Sequence, residues 1–173
     1  MTIIDALTGI HNKRFLLEFL DRELARSARY RRPLALLMFD LDHFKSINDH
    51  LGHLAGDYTL RELASCVKDA IRKEELFARY GGEEFAVVLP ETSRERGGEV
   101  AERLRLLVEQ HRFGYEGHPY QLTISLGVAA IEGDESLSPT DLIRHADQNL
   151  FLAKKAGRNR TVADERGDLK DRG

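Results

Sequence analysis

The run Arg79-Tyr80-Gly81-Gly82-Glu83-Glu84-Phe85 makes the chain double back, because two adjacent glycines stand between segments that read as strands. Phe77 lies on the near side and Phe85-Ala86-Val87-Val88-Leu89 on the far side. A two-residue hairpin turn needs backbone conformations that a β-carbon resists, so Gly81-Gly82 is predicted as the turn. Glu83 and Glu84 then open the return strand, where successive side chains point to opposite faces and only one of the two can face a given site directly. Taken alone, the run reads as an ordinary hairpin with a solvated acidic tip. A second acidic strand end, earlier in the chain, changes that reading.

Leu34-Ala35-Leu36-Leu37-Met38-Phe39 is an uninterrupted apolar run of strand length that ends in Asp40-Leu41-Asp42 and passes at once into His43-Phe44-Lys45. Such continuity predicts a central strand buried on both faces. Its carboxylates emerge at the carboxyl end of a sheet strand, where α/β folds bind ligands. If the hairpin pairs beside this strand, Asp40 and Glu83 converge and can share hard cations such as Mg²⁺, which take oxygen ligands alongside substrate phosphates. Two such ions, roughly 3.5 to 4 Å apart, would clamp the attacking and leaving oxygens of an in-line phosphoryl displacement. Asp42 is equally suited to capping a helix.

Around these two features the chain alternates helical and strand patterns. From about His11 to Arg29, Phe15, Leu16, Phe19, Leu20 and Leu24 form one apolar stripe. Leu60, Ala64, Val67 and Ile71 do the same over about Asp57 to Arg72. Thr92 with Glu95 reads as a capping box for a helix that buries Val100, Leu104, Leu107 and Val108 and ends near Arg112. Alternation at Leu122, Ile124, Leu126 and Val128 predicts a strand over Gln121 to Ile131. Ser138-Pro139 starts a last helix, which Gly157 ends. The order suits an α/β fold with a mixed central sheet that includes an antiparallel hairpin and is surrounded by helices. Residues 1–162 make one domain, and the charged segment 163–173 is expected to be disordered.

Composition narrows the classes. At 173 residues with 42% hydrophobic content, the chain supports a single core. A net charge of −3 with no broad basic face argues against a general nucleic-acid binder. Cys66 has no second cysteine to pair with, which suits a reducing compartment. No run reaches membrane-spanning length and no signal peptide precedes Asp5, so the cytoplasm is the expected location.

Four separated motifs together resemble the GGDEF family of diguanylate cyclases, from Asp5 to Arg160. Asp5-Ala6-Leu7-Thr8-Gly9 with Asn12-Lys13-Arg14 is similar to the family's entrance. The stretch Asp40 to Asp57, with Asn48, His53 and Gly56 inside it, looks like the metal- and guanine-binding segment. Gly81 to Phe85 is the signature in its Glu variant, and Ala153-Lys154 to Arg158-Asn159-Arg160 is similar to the closing phosphate-binding motif. One such match arises easily by chance; four in order do not. Phe151 departs from the family, standing where many relatives have tyrosine.

The resemblance implies a fold akin to the palm of nucleotidyl cyclases and polymerases, and the condensation of two GTP molecules into cyclic di-GMP with release of pyrophosphate. It implies two Mg²⁺ or Mn²⁺ ions per site, held by Asp40, the Leu41 carbonyl, Glu83 and Glu84, with Asp40 and Glu83 catalytic. Gly81 and Gly82 approach the substrate, and the His43-Phe44-Lys45 turn offers N–H groups and an ammonium to terminal phosphates. Lys154 and Arg158 add charge there, though both also complement the end of the last helix. Asn48 and Asp57 are assigned to guanine, because a carboxylate accepts from the N1 and N2 hydrogens that adenine lacks. His53 matches a position that shapes this pocket, and is equally a structural histidine.

One signature loop per chain means one GTP per chain, so the product requires a two-fold homodimer reacting at the subunit boundary. The chain begins almost at Asp5, which fits either a catalytic domain from a longer protein with a sensory or regulatory part, or a dimer assembled weakly with help from substrate. Arg72 and Glu75 occupy the positions of the family's inhibitory product site, with glutamate in place of aspartate and Arg103 as a secondary contact. A retained but weakened site for cyclic di-GMP is expected; a solvated charged helix end is the competing reading. A GTP-binding signalling module without turnover, an enzyme that also accepts ATP and a purely structural interaction domain are the alternative functions. The intact metal positions speak against the first, Asp57 against the second and the convergence of Asp40, Glu83, Asn48, Asp57 and Lys154 against the third.

Overall fold

In chain order the elements are α1 (Lys13–Tyr30), β1 (Leu34–Leu41), α2 (Phe44–Leu51), α3 (His53–Lys68), β2 (Leu76–Gly81), β3 (Glu84–Pro90), α4 (Arg94–Gln110), β4 (Phe113–Tyr115), β5 (His118–Tyr120), β6 (Ile124–Ile131), α5 (Pro139–Lys155) and β7 (Thr161–Val162). They come from a computed structural model that describes residues 2–132 and 136–163, so the expected tail lies, beyond Ala163, outside the described residues.

Every residue of β1 is buried, as its unbroken apolar run requires. The main sheet has the order β2-β3-β1-β6-β7. β1 is antiparallel to both β3 and β6, and only the β6–β7 pair is parallel. Alternate residues of β1 feed two cores. Leu37 and Phe39 join Leu63, Val67, Leu104 and Val108 on the α3 and α4 face, while Leu36 and Met38 join Leu16, Leu20, Leu142 and Leu150 on the α1 and α5 face. The result is a mixed sheet between two helical layers, in agreement with the predicted fold class.

Local chemistry sets the helix ends. The Asn12 side chain accepts from Phe15 N–H at the start of α1, and Ser138 accepts from Asp141 N–H ahead of Pro139 at the start of α5. The cap of α4 is Ser93 rather than Thr92: Ser93 accepts from Arg96 N–H, while the Thr92 hydroxyl donates to the Pro90 carbonyl. Gly97 lets α4 settle on the sheet, since a β-carbon there would lie 3.0 Å from Ala35 Cβ. Gly127 does the same for α5, where a β-carbon would meet Ala146 O at 2.1 Å. The buried Asn149 amide donates to Val128 O at 2.8 Å and fixes α5 along β6.

Two elements differ from expectation. The helix predicted over about Asp57 to Arg72 is α3, which starts earlier, at His53, ends at Lys68 and is preceded by the eight-residue α2, with Gly52 at φ of 93° between them. The strand predicted from Gln121 starts at Ile124 and is preceded by the β4–β5 hairpin, which packs on α3 through Thr59 Oγ1 and the Tyr120 hydroxyl, 2.6 Å apart.

Candidate active site

Register brings the acidic strand ends together. Asp40 of β1 lies opposite Glu84 of β3, so both side chains project to the same face, towards α5. The hairpin turn is Gly82-Glu83, one residue later than predicted, because Gly81 already pairs with Glu84 after an irregularity beyond Arg79. Gly82 has φ of 54°, which makes glycine the fitting residue at the first turn position. Glu83 therefore sits in the turn. Its carbonyl accepts from Leu41 N–H, and its half-buried carboxylate makes no hydrogen bond or ion pair among the described residues.

Two residues of α5 complete this cluster. Lys154 donates to Asp40 Oδ2, and Asp147, two helical turns earlier on the same helix face, shares a hydrogen bond with Glu84. Burial pushes the Asp40 carboxyl above its ordinary range; Lys154 opposes the rise, and Asp147 and Asp42 add to it. Burial, the Asp147 hydrogen bond and the nearby Asp147 and Asp40 charges push Glu84 up to about 9, despite Lys154. The cluster is short of positive charge. Asp40 Oδ1 and Glu84 Oε1 are buried and have no hydrogen-bond partner.

These orphaned oxygens suit a hard cation. Among the described residues no three carboxylate or imidazole groups are gathered at metal-ligand spacing. That matches the preference of Mg²⁺ for one or two protein carboxylates with water and substrate phosphate oxygens filling the other positions. Asp40 and Glu84 fit such an ion best in this arrangement, with Glu83 and the Leu41 carbonyl one residue away on either strand.

The phosphate candidates adjoin it. His43 has left-handed φ of 56° and precedes α2, and no side chain caps that helix. An uncapped helix start presents free N–H groups to an anion at Phe44 and Lys45. The Lys45 side chain is 91% exposed, held only by a 4.0 Å approach to Asp49. Asp42 is not a helix cap. It is buried and accepts from the Thr123 and Ser125 hydroxyls and from Asn159 N–H. Arg158 is exposed, and its guanidinium has no hydrogen-bond or ion-pair partner among the described residues.

The base candidates lie where α2 meets α3. Asn48 of α2 and Asp57 of α3 are both half-buried, and neither side chain makes a hydrogen bond among the described residues. Asn48 lies directly over Gly56, where a β-carbon would stand 1.9 Å from its Oδ1. His53, the first residue of α3, is exposed.

Arg79 was passed over as a functional residue in the sequence, and it ties the entrance motif to the signature turn. Its Nε and Nη2 donate to Gly82 O at 3.0 and 2.8 Å, and its Nη1 contacts Asp5 at 3.3 Å. Asp147 also went unnoticed, although its two-turn spacing from Lys154 placed both on one helix face. At the expected inhibitory position, Arg72 and Glu75 lie in the turn between α3 and β2 rather than at a helix end. Glu75 Oε1 accepts from Arg72 N–H at 2.9 Å, and both residues line a cavity of about 320 Å³ with Lys68 and His11. Arg103 is exposed on α4, with no hydrogen bond or ion pair to either.

The chain is similar to known proteins over most of its length. Residues 2–160 match the family model for the diguanylate cyclase GGDEF domain. The chain is 44% identical to diguanylate cyclase DgcP of Pseudomonas aeruginosa over 158 residues, covering 91% of this chain and 23% of that protein. It is 38% identical to the response regulator PleD of Caulobacter vibrioides over 164 residues, covering 94% of this chain and 36% of that protein. It thus spans well under half the length of those relatives. The GGDEF domain of DgcB from Caulobacter crescentus, solved in complex with c-di-GMP, superposes with a TM-score of 0.88 at 30% identity, covering 94% of each chain.

Proposed function

This chain belongs to the diguanylate cyclase GGDEF-domain family, and we propose from that premise that it condenses two GTP molecules into cyclic di-GMP. The observation that carries the reading is the pairing of Asp40 with Glu84 across β1 and β3, each with a buried oxygen free for a cation, beside Lys154.

A bound Mg²⁺ or Mn²⁺ pair would lower the charge of the triphosphate and favour ionisation of the attacking 3′-hydroxyl. The protein's own groups do the rest. Asn48 and Asp57 orient guanine between α2 and α3. The start of α2, with Lys45, takes the terminal phosphates, and Gly81 and Gly82 allow the backbone close to the nucleotide. Lys154 and Arg158 supply positive charge where pyrophosphate departs. Glu83 accepts the hydroxyl proton, and Asp147 positions Glu84. Each 3′-hydroxyl attacks the α-phosphate of the nucleotide held by the facing subunit, so the competent species is a two-fold homodimer. The reaction uses GTP, which fits a domain exposed to the cytoplasm, and no helix among the described residues is long and apolar enough to cross a membrane.

Incubation of the purified protein with GTP and Mg²⁺, followed by chromatography, tests this. Cyclic di-GMP and pyrophosphate are expected from the wild type, with loss of roughly a hundredfold or more in turnover for Asp40→Asn in protein that still unfolds cooperatively. GTP binding without turnover, even at high protein concentration, would replace the enzyme by a nucleotide-binding signalling module.

A further inference from the structure

The loop after α5 holds Arg158 in a conformation that its own residue type resists. Gly157, Arg158 and Asn159 have successive left-handed φ values of 129°, 65° and 47°. Glycine adopts this region freely and asparagine tolerates it, so an arginine between them stays there only if its surroundings hold it.

The bonds that hold it converge on Asn159. Its N–H donates to Asp42 Oδ2 at 3.0 Å and to Ser125 Oγ at 3.2 Å. Its side-chain amide donates to Glu109, and its side-chain carbonyl accepts from Arg105 Nη1 at 3.0 Å. Asp42, only 5% exposed, also accepts from Thr123 Oγ1 at 2.8 Å and Ser125 Oγ at 2.6 Å. The end of β1, the start of β6 and the C-terminal turns of α4 are thereby tied to one loop residue. On either side of it, Arg158 N–H donates to Ala153 O, and Arg160 O accepts from Leu126 N–H. Within this fastened loop the Arg158 guanidinium is the free group.

We propose that Asp42 and Asn159 are positioning residues that fix the Arg158 backbone so that its guanidinium is ready for the terminal phosphates of the nucleotide; this rests on the phosphate role given to Arg158 above. A cation whose backbone is already fixed loses less freedom on gripping a phosphate, and its planar fork suits two oxygens at once. The strand end that presents Asp40 to a cation also carries, through Asp42, the anchor for the phosphate-binding arginine. One buried carboxylate sets the distance between the two.

Calorimetry with Mg²⁺-pyrophosphate and, separately, with GMP tests this on the wild type, Asn159→Ala, Arg158→Ala and the double variant, with Asp42→Asn as a second probe. Asn159→Ala is expected to weaken pyrophosphate binding roughly ten- to a hundredfold, because a displaced binding group costs that much. It should leave GMP affinity unchanged and add nothing in the Arg158→Ala background. Losses that add in the double variant, or that fall equally on GMP, would show a purely structural knot and overturn the proposal. Asn159 is half-buried in an otherwise exposed loop, so its variant decides the matter even if Asp42→Asn fails to fold. A wild type that grips pyrophosphate through Arg158 yet makes no cyclic di-GMP would sink the cyclase reading and leave this one standing. A wild type that binds no pyrophosphate would overturn this one.

Discussion

Glu84 keeps its proton towards alkaline pH because burial and Asp147 both oppose its ionisation. The sign of the resulting stability effect follows from linkage. The unfolded carboxyl ionises near its ordinary value of 4.5 and the folded one at about 9, so between those values the folded state binds more protons. Metal-free protein should therefore lose stability as pH rises through that window, and Asp40, shifted in the same direction, reinforces the trend. Thermal midpoints in a chelator should fall from pH 6 to pH 8, and Glu84→Gln should flatten the slope while abolishing turnover. Mg²⁺ should raise the midpoint more at pH 8 than at pH 6, because a cation and the Glu84 proton compete for one carboxyl. A midpoint that stays level in the chelator, or an unchanged slope in Glu84→Gln, contradicts the buried cluster. Gly56 makes a second case at this scale. A β-carbon there would lie 1.9 Å from Asn48 Oδ1, so Gly56→Ala must displace the amide assigned to guanine. KM for GTP should rise on the order of tenfold or more, with the preference over ATP reduced. The fold should hold, since alanine favours a helix interior. An unchanged preference would remove Asn48 from base recognition.

At the level of elements, the turn between α3 and β2 decides the proposed inhibitory site. Glu75 already spends one carboxylate oxygen on Arg72 N–H, a contact that reaching out to a ligand would have to break. Cyclic di-GMP should therefore bind Glu75→Asp several-fold more tightly than the wild type, and Arg72→Ala should remove product inhibition. Calorimetry that finds the wild type equal or tighter would show that glutamate does not weaken the site. The same elements show what the chain makes legible. β1 was plain because six apolar residues in a row can only be buried, and α5 because Ser138-Pro139 starts it and Gly157 ends it. The hairpin was plain, but its turn was misplaced by one residue, since two adjacent glycines do not say which takes the left-handed position. That single step puts Glu84 rather than Glu83 opposite Asp40. β4 and β5 have three residues each, too few for alternation to register. Asp42 reads as a helix cap and Asp147 draws no notice, because their partners lie on distant segments that only the sheet order brings near.

Taken as a whole molecule, one chain presents one signature hairpin and one cluster of Asp40, Glu84 and Lys154, whereas cyclic di-GMP contains two nucleotides joined by two equivalent bonds. On the proposed cyclase reading, turnover depends on two copies facing each other, and specific activity should climb with protein concentration until dimer dominates. Activity that stays flat over a range where sizing shows only monomer would exclude that assembly. The central claim is tested most directly by fusing the chain to a dimeric coiled coil and measuring, with GTP and Mg²⁺, the molar ratio of pyrophosphate released to cyclic di-GMP formed. Two pyrophosphates per cyclic dinucleotide, lost together in Asp40→Asn and Glu84→Gln, is the predicted result. Absence of cyclic di-GMP from the fused wild-type dimer, with GTP recovered intact, would contradict it.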